Sequence, residues 1–152
     1  MRPVKGLTLI ELMVAVAVLA ILMAVAAPSF TDSIARRRLE GIANEASADL
    51  QYTRTQSISA NTAIALVASS TGYVIGSYKT LTINSMCSLG TVSPGTLPLT
   101  IAFEANRGTA TSTGTLLVSC TGTAATLQIT VDSMGRVQMC SPGGVFGGYT
   151  TC

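Results

Sequence analysis

Residues 6–14 read GLTLIELMV and open an apolar run, residues 7–30, whose only ionisable side chain is Glu11. As a helix at about 1.5 Å per residue, this run spans ~36 Å, enough for one bilayer crossing. A carboxylate in such surroundings costs about 3 kcal/mol unless it is paired or lies near an interface. Pro28 removes a helix donor, which predicts either a kink or a helix end near the membrane surface. Residues 1–6 form a short leader carrying Arg2 and Lys5.

Beyond the run, residues 31–60 read as an amphipathic helix. Leu39, Ile42, Ala46, Leu50 and Ile58 form one apolar stripe, which predicts a packing partner. Arg36 and Glu40 stand four apart, a weak surface pair. Gly41 weakens the helix by about 1 kcal/mol, so packing must hold it. The triplet Arg36-Arg37-Arg38 reads as a solvated face or a contact for lipid headgroups.

From 61 to 152 the composition turns to Thr, Ser, Gly and short β-prone runs. AIALVA (63–68) and YVIGSY (73–78) flank SSTG as a hairpin. LTIAFE (99–104) alternates, with Leu99, Ile101 and Phe103 on one face. LLVSC (116–120), TLQITV (126–131) and RVQMC (136–140) follow, while TATSTGT (109–115) reads as a turn or mobile loop. Alternation with one polar face fits antiparallel sheet. The expected fold class is α+β, a long N-terminal helix packed on an antiparallel C-terminal β domain.

Charge excludes more than it assigns. The chain has nine bases and seven acids; without Arg2 and Lys5 the balance is zero, so nothing in the composition pushes toward nucleic acid. There is no His, the commonest general base near pH 7, no pair of carboxylates at an informative spacing, and no cysteine set as a nucleophile. An enzyme, a cofactor and a metal site are not expected. Cys87, Cys120, Cys140 and Cys152 contain no C-x-x-C, and an even count in a small exported domain points to disulfides. Of three possible pairings, Cys140–Cys152 with Cys87–Cys120 is favoured. The first closes the Gly-rich loop SPGGVFGGYTT, and a loop of that size contributes about 3 kcal/mol.

A secretory signal explains the basic start and Ala24-Val25-Ala26, an A-x-A-like cleavage site, but not Glu11. That reading would release a soluble exported binding module. Paired cysteines would place the C-terminal part in an oxidising compartment, with the N-terminus cytoplasmic. The leader ending in Gly6, the apolar Leu7, Thr8-Leu9-Ile10-Glu11-Leu12 and the long run with Pro28 together resemble the N-terminus of type IV prepilins and pseudopilins. Leu7 stands where many members carry Phe.

That resemblance implies four segments: a cleaved leader (1–6), a transmembrane and filament-core helix (7–30), its amphipathic continuation (31–60) and a β domain (61–152). It implies that a prepilin peptidase cuts between Gly6 and Leu7 and that the Leu7 amine is methylated. The chain would cross the bacterial inner membrane once, with its C-terminal domain in the periplasm, and then enter a pilus or pseudopilus. Glu11 would meet the amine of a neighbouring pilin or pseudopilin subunit, an opposite charge that offsets the cost of burying it.

Phe103 to Gly108, an F-x-x-x-x-G stretch, and Ser133 to Cys140, a Gly-Arg turn leading into a strand and a Cys, resemble the FimT/FimU and GspH group of minor pilins and pseudopilins. The resemblance implies a minor pilin of type IV pilus assembly, with a type II secretion pseudopilin as the alternative. A FimT-like branch binds DNA for uptake through Gly-Arg-x-Arg. Here Gly135-Arg136-Val137-Gln138 lacks the second arginine, leaving Arg136, Arg107 and Lys79 as candidate phosphate contacts if folding gathers them. The bland reading of Arg136 is a solvated residue in a hairpin turn.

Overall fold

Thr8 starts the long helix. Its backbone is extended (φ −81°, ψ 152°), and its hydroxyl accepts a hydrogen bond from the Glu11 backbone N–H at 3.4 Å. It is therefore an N-cap, with an acid at the third helical position and beside the positive end of the helix dipole. Helix α1 then runs from Leu9 to Ser59, 51 residues and about 76 Å. The structure, a computed structural model, describes residues 8–92 and 95–152, with backbone alone at 26–28. The leader and the expected cut at Gly6 and Leu7 lie outside the described residues.

The helix continues through position 28, so the proline does not end it. It ends where Asn61 takes a left-handed conformation (φ 48°) and the Thr62 N–H turns back to the Ser57 carbonyl at 3.1 Å. Its buried face is Ala35, Leu39, Ala43, Ala46, Leu50, Thr53 and Ser57. The expected stripe is thus corrected at its end: Ile42 is half-buried and Ile58 is exposed. At 3.6 residues per turn, the step of eight from Leu50 to Ile58 overshoots the stripe by about 80°, whereas Ser57 falls only about 20° short. The two hydroxyls enter the core because each bonds the helix itself. Thr53 Oγ1 donates to the Asp49 carbonyl at 2.6 Å and Ser57 Oγ to the Arg54 carbonyl at 2.8 Å.

Among the described residues nine antiparallel strands follow: β1 (Ile64–Ser69), β2 (Gly72–Ile75), β3 (Lys79–Thr82), β4 (Cys87–Thr91), β5 (Leu99–Phe103), β6 (Ala110–Ser112), β7 (Gly114–Cys120), β8 (Thr126–Val131) and β9 (Val137–Cys140). One sheet has the order β3-β2-β1-β5-β6, the other β4-β7-β8-β9. Helix α1 lies across β1 and β5 of the first and β7, β8 and β9 of the second. The core between them is built on Tyr73, Phe103, Leu50, Leu66, Ile101, Leu116 and Ile129, all essentially inaccessible.

The expected strand 73–78 stops at Ile75. Gly76 is left-handed (φ 45°), and the chain reverses into β3, paired Ile75 to Lys79. The stretch 109–115, expected as a turn or loop, instead holds β6 and the start of β7. Ala110 pairs with Phe103 and Ser112 with Ala102 around a register shift. Hydroxyls fasten that edge, Ser112 Oγ donating to the Thr100 carbonyl at 2.7 Å. β-Branched Thr suits a pleated surface, and Gly114 lets β7 pass close to Leu99, 2.9 Å from where a Cβ would stand.

Candidate functional site

The first part of α1 is exposed and packs on no other element among the described residues. Leu9, Ile10, Val14, Leu19, Leu22 and Phe30 are all at least half exposed. An apolar surface of this size on a continuous helix calls for lipid or for neighbouring helices. Glu11 sits in its first turn, exposed, with no side-chain hydrogen bond or ion pair among the described residues. Thr8 caps the backbone beside it. Thr-x-x-Glu before an apolar run is the sequence signature of this cap.

The C-terminal disulfide loop is strapped onto α1. Cys140 joins Cys152 with Cα atoms 5.0 Å apart, and Ser141 pairs with Thr151 inside the loop. Phe146 is buried and meets the Tyr149 ring edge-on at 5.4 Å. Tyr149 donates its hydroxyl to Glu40 at 3.0 Å, and Arg36 donates to the Val145 carbonyl at 3.1 Å. The Arg36 partner on the helix is Asp32 at 2.8 Å, so the expected Arg36–Glu40 pair does not form. Thr123 and Arg36 beside Asp32 hold its carboxyl below the usual range, whereas burial and Glu40 raise the Tyr149 hydroxyl. The second disulfide joins Cys87 on β4 to Cys120 on β7, which face each other in register.

Of the three candidate phosphate contacts, Arg107 and Arg136 lie on two turns that meet, while Lys79 is placed elsewhere. Lys79 lies on β3, the outer edge of the first sheet, and its ammonium is held by Asp49 at 2.7 Å and Glu45 at 3.1 Å. Both carboxylates raise its pKa, Asp49 foremost. Asp49 also accepts the buried Tyr73 hydroxyl at 2.6 Å, and burial, with that carboxylate, pushes the phenol well above its ordinary value. Arg136 is exposed in the β8–β9 turn but is bound to Asp132, by Nε at 2.7 Å and by its backbone N–H at 2.9 Å. Those two bonds, the backbone one first, hold Asp132 below the usual carboxylate range. Arg107 is exposed, with no ion pair among the described residues.

Folding does bring the two β-domain motifs together, under a residue the sequence did not single out. Arg54 of α1 donates Nε to the Gly108 carbonyl at 2.9 Å. Gly135 lies against the same carbonyl, 2.2 Å from where its own Cβ would stand, with φ +75°. The F-x-x-x-x-G stretch and the Gly-Arg turn are thus halves of one close backbone contact. Their glycines are required by space and conformation. A groove of about 450 Å³ between α1 and β9 opens beside it, lined by Gln51, Arg54, Thr55, Arg136 and Gln138 among others. Among the described residues no cluster of three or more His, Cys, Asp or Glu is placed to hold a metal.

Comparison with known proteins follows these two parts of the molecule. Residues 1–27 match the prokaryotic N-terminal methylation motif. Residues 43–135, well over half the chain, match the type II transport protein GspH family. The chain belongs to the GspH family. Two crystal structures of the type IV minor pilin FimU of Pseudomonas aeruginosa (strain PAO1) share the fold. In space group P21 the TM-score is 0.53 at 20% identity, covering 70% of this chain and 94% of that one. In space group P65 it is 0.52 at 22% identity, covering 68% and 97%. No curated protein sequence matches the chain. This GspH-family chain therefore carries the N-terminal methylation motif on a long helix packed on two antiparallel sheets, the fold it shares with FimU.

Proposed function

We propose that this GspH-family subunit is a minor pilin of a type IV pilus, cut between Gly6 and Leu7, methylated on the Leu7 amine, and assembled through its N-terminal helix. The observation that carries the reading is Glu11: a carboxylate on an exposed apolar helix, with no ion pair among the described residues. Before assembly the helix anchors the chain in the inner membrane, with residues 31–152 on the periplasmic side. Glu11 near the helix N-terminus is then partly compensated by the dipole. In the filament the Leu7 amine of a neighbouring subunit supplies the full opposite charge and sets the register.

A second reading, a pseudopilin of type II secretion, is favoured by the match to the type II transport protein GspH family over residues 43–135. Both use the same helix and the same carboxylate. The DNA-uptake reading is less favoured, because Lys79 is held by Asp49 at a separate sheet edge and Arg136 is paired with Asp132.

Mass spectrometry of the mature chain tests the proposal: an N-terminus at Leu7 carrying one added methyl group is expected. An N-terminus at Ala27, or an uncut Met1, would overturn it. Glu11→Gln should leave insertion into the membrane intact and reduce recovery in sheared filaments.

A further inference from the structure

Helix α1 leaves its exposed apolar segment at Phe30 and reaches the core at Ala35, only 3% exposed. Five residues of helix rise about 7.5 Å, so the base of the globular part sits directly over the end of the apolar segment, with no linker between them. Three loops close on the helix at this level. Arg38 donates to the Met86 sulfur, Thr123 stands beside Asp32, and the C-terminal strap is held by Arg36.

The charges at this base do not cancel. Asp32 answers Arg36. Arg37 is exposed and has no hydrogen bond or ion pair among the described residues, and the partner of Arg38 is a neutral thioether. The positions are ordered along one helical face. Phe30, Ile34 and Arg37 follow at spacings of four and three and share the side away from the buried Ala35 and Leu39, with the half-buried Arg38 at its edge. Apolar groups come first and cations about one turn later, the sequence a headgroup region selects. Met86 (48% exposed) and Val145 (51%) add apolar tips on the loops.

We propose that this base docks on an anionic phospholipid bilayer, the same bilayer the helix crosses. Arg37 and Arg38 take headgroup phosphates, and Phe30, Ile34, Met86 and Val145 enter the interface. The inference rests on the anchoring reading above and adds a surface that fixes the height and tilt of the domain on the membrane. A second copy of this chain fits the surface less well. Asp32, Asp49 and Asp132 are each paired with a cation of the chain, Arg36, Lys79 and Arg136 in turn. The apolar segment that ends at Phe30 already brings Arg37 and Arg38 to the headgroup level, where lipid phosphates supply anions.

The test uses the full chain reconstituted in vesicles of phosphatidylcholine alone, or with about a third phosphatidylglycerol. The four native cysteines are paired, so a dye on Ser85→Cys reports the base and one on Thr62→Cys the far end. Quenching by headgroup-labelled lipid is measured. A surface arginine strengthens attachment to anionic lipid by about fivefold. Phosphatidylglycerol should therefore raise the docked fraction at Ser85→Cys several-fold and leave Thr62→Cys unchanged. Arg37→Gln with Arg38→Gln, or about 0.5 M salt, should abolish the increase. Equal quenching in both vesicles overturns the proposal while leaving the anchor standing. So does quenching in phosphatidylcholine that grows with protein density, which would assign the base to a second copy. A chain that floats with neither vesicle overturns the anchoring reading itself.

Discussion

The Asp49–Tyr73–Lys79 network makes a prediction with a definite size. The Asp49 side chain is 12% exposed, Tyr73 is 1% exposed, and the phenol donates to the carboxylate at 2.6 Å. A hydrogen bond to a charged acceptor contributes about 1.5–3 kcal/mol. Tyr73→Phe keeps the ring in the core and leaves Asp49 its ammonium partner, so it should cost about 2 kcal/mol. Asp49→Ala does more harm. It strands a buried hydroxyl and removes the nearer of two Lys79 partners, for about 3 kcal/mol. In the Asp49→Ala background Tyr73→Phe should then be neutral or slightly stabilising, because it deletes the stranded group. The double-mutant cycle should return a coupling of about 2 kcal/mol. Urea unfolding of the detergent-solubilised chain, followed by circular dichroism, reads this as a midpoint shift of about 1 M for Tyr73→Phe. A Tyr73→Phe cost that is the same in both backgrounds would refute the reasoning.

Two further outcomes follow from the same geometry. Gly135→Ala should destabilise by more than about 1 kcal/mol, since its Cβ would stand 2.2 Å from the Gly108 carbonyl at a left-handed φ; an unchanged urea midpoint would count against the contact. The raised Tyr149 hydroxyl means that folding favours its protonated form. The contribution of the strap is therefore complete below about pH 10, where the unfolded phenol titrates, and is lost as pH rises through the higher folded value. Hydrogen exchange in 141–152 should accelerate at alkaline pH, and Tyr149→Phe should remove that step; an identical alkaline step in the variant would sink the idea.

The hairpin of β1 and β2 and the alternation in β5, β7 and β8 were legible because each strand buries one face, and a period of two shows this directly. Strands β3, β4 and β6 were not. Lys79–Thr82 is half exposed at a sheet edge, with no apolar alternation to display. In Ala110–Ser112 the ladder is completed by hydroxyls that also serve turns. The helical stripe was legible over Leu39, Ala46 and Leu50 and failed at Ile58, where buried Thr53 and Ser57 satisfy their own hydroxyls and so look polar in the sequence.

Read alone, the sequence marked residues 9–30 as a long apolar helix with one carboxylate: length and apolarity are local properties, and a stretch that packs on no other element among the described residues needs no tertiary information. It also determined that a β domain follows. Which charges are free was decided only by the tertiary structure. Lys79 and Asp49 are thirty residues apart, Arg54 and Gly108 fifty-four, and Tyr149 and Glu40 one hundred and nine. An ionisable side chain carries no mark of its partner. Whether it remains open to phosphate depends on what the fold brings to within 3 Å of it.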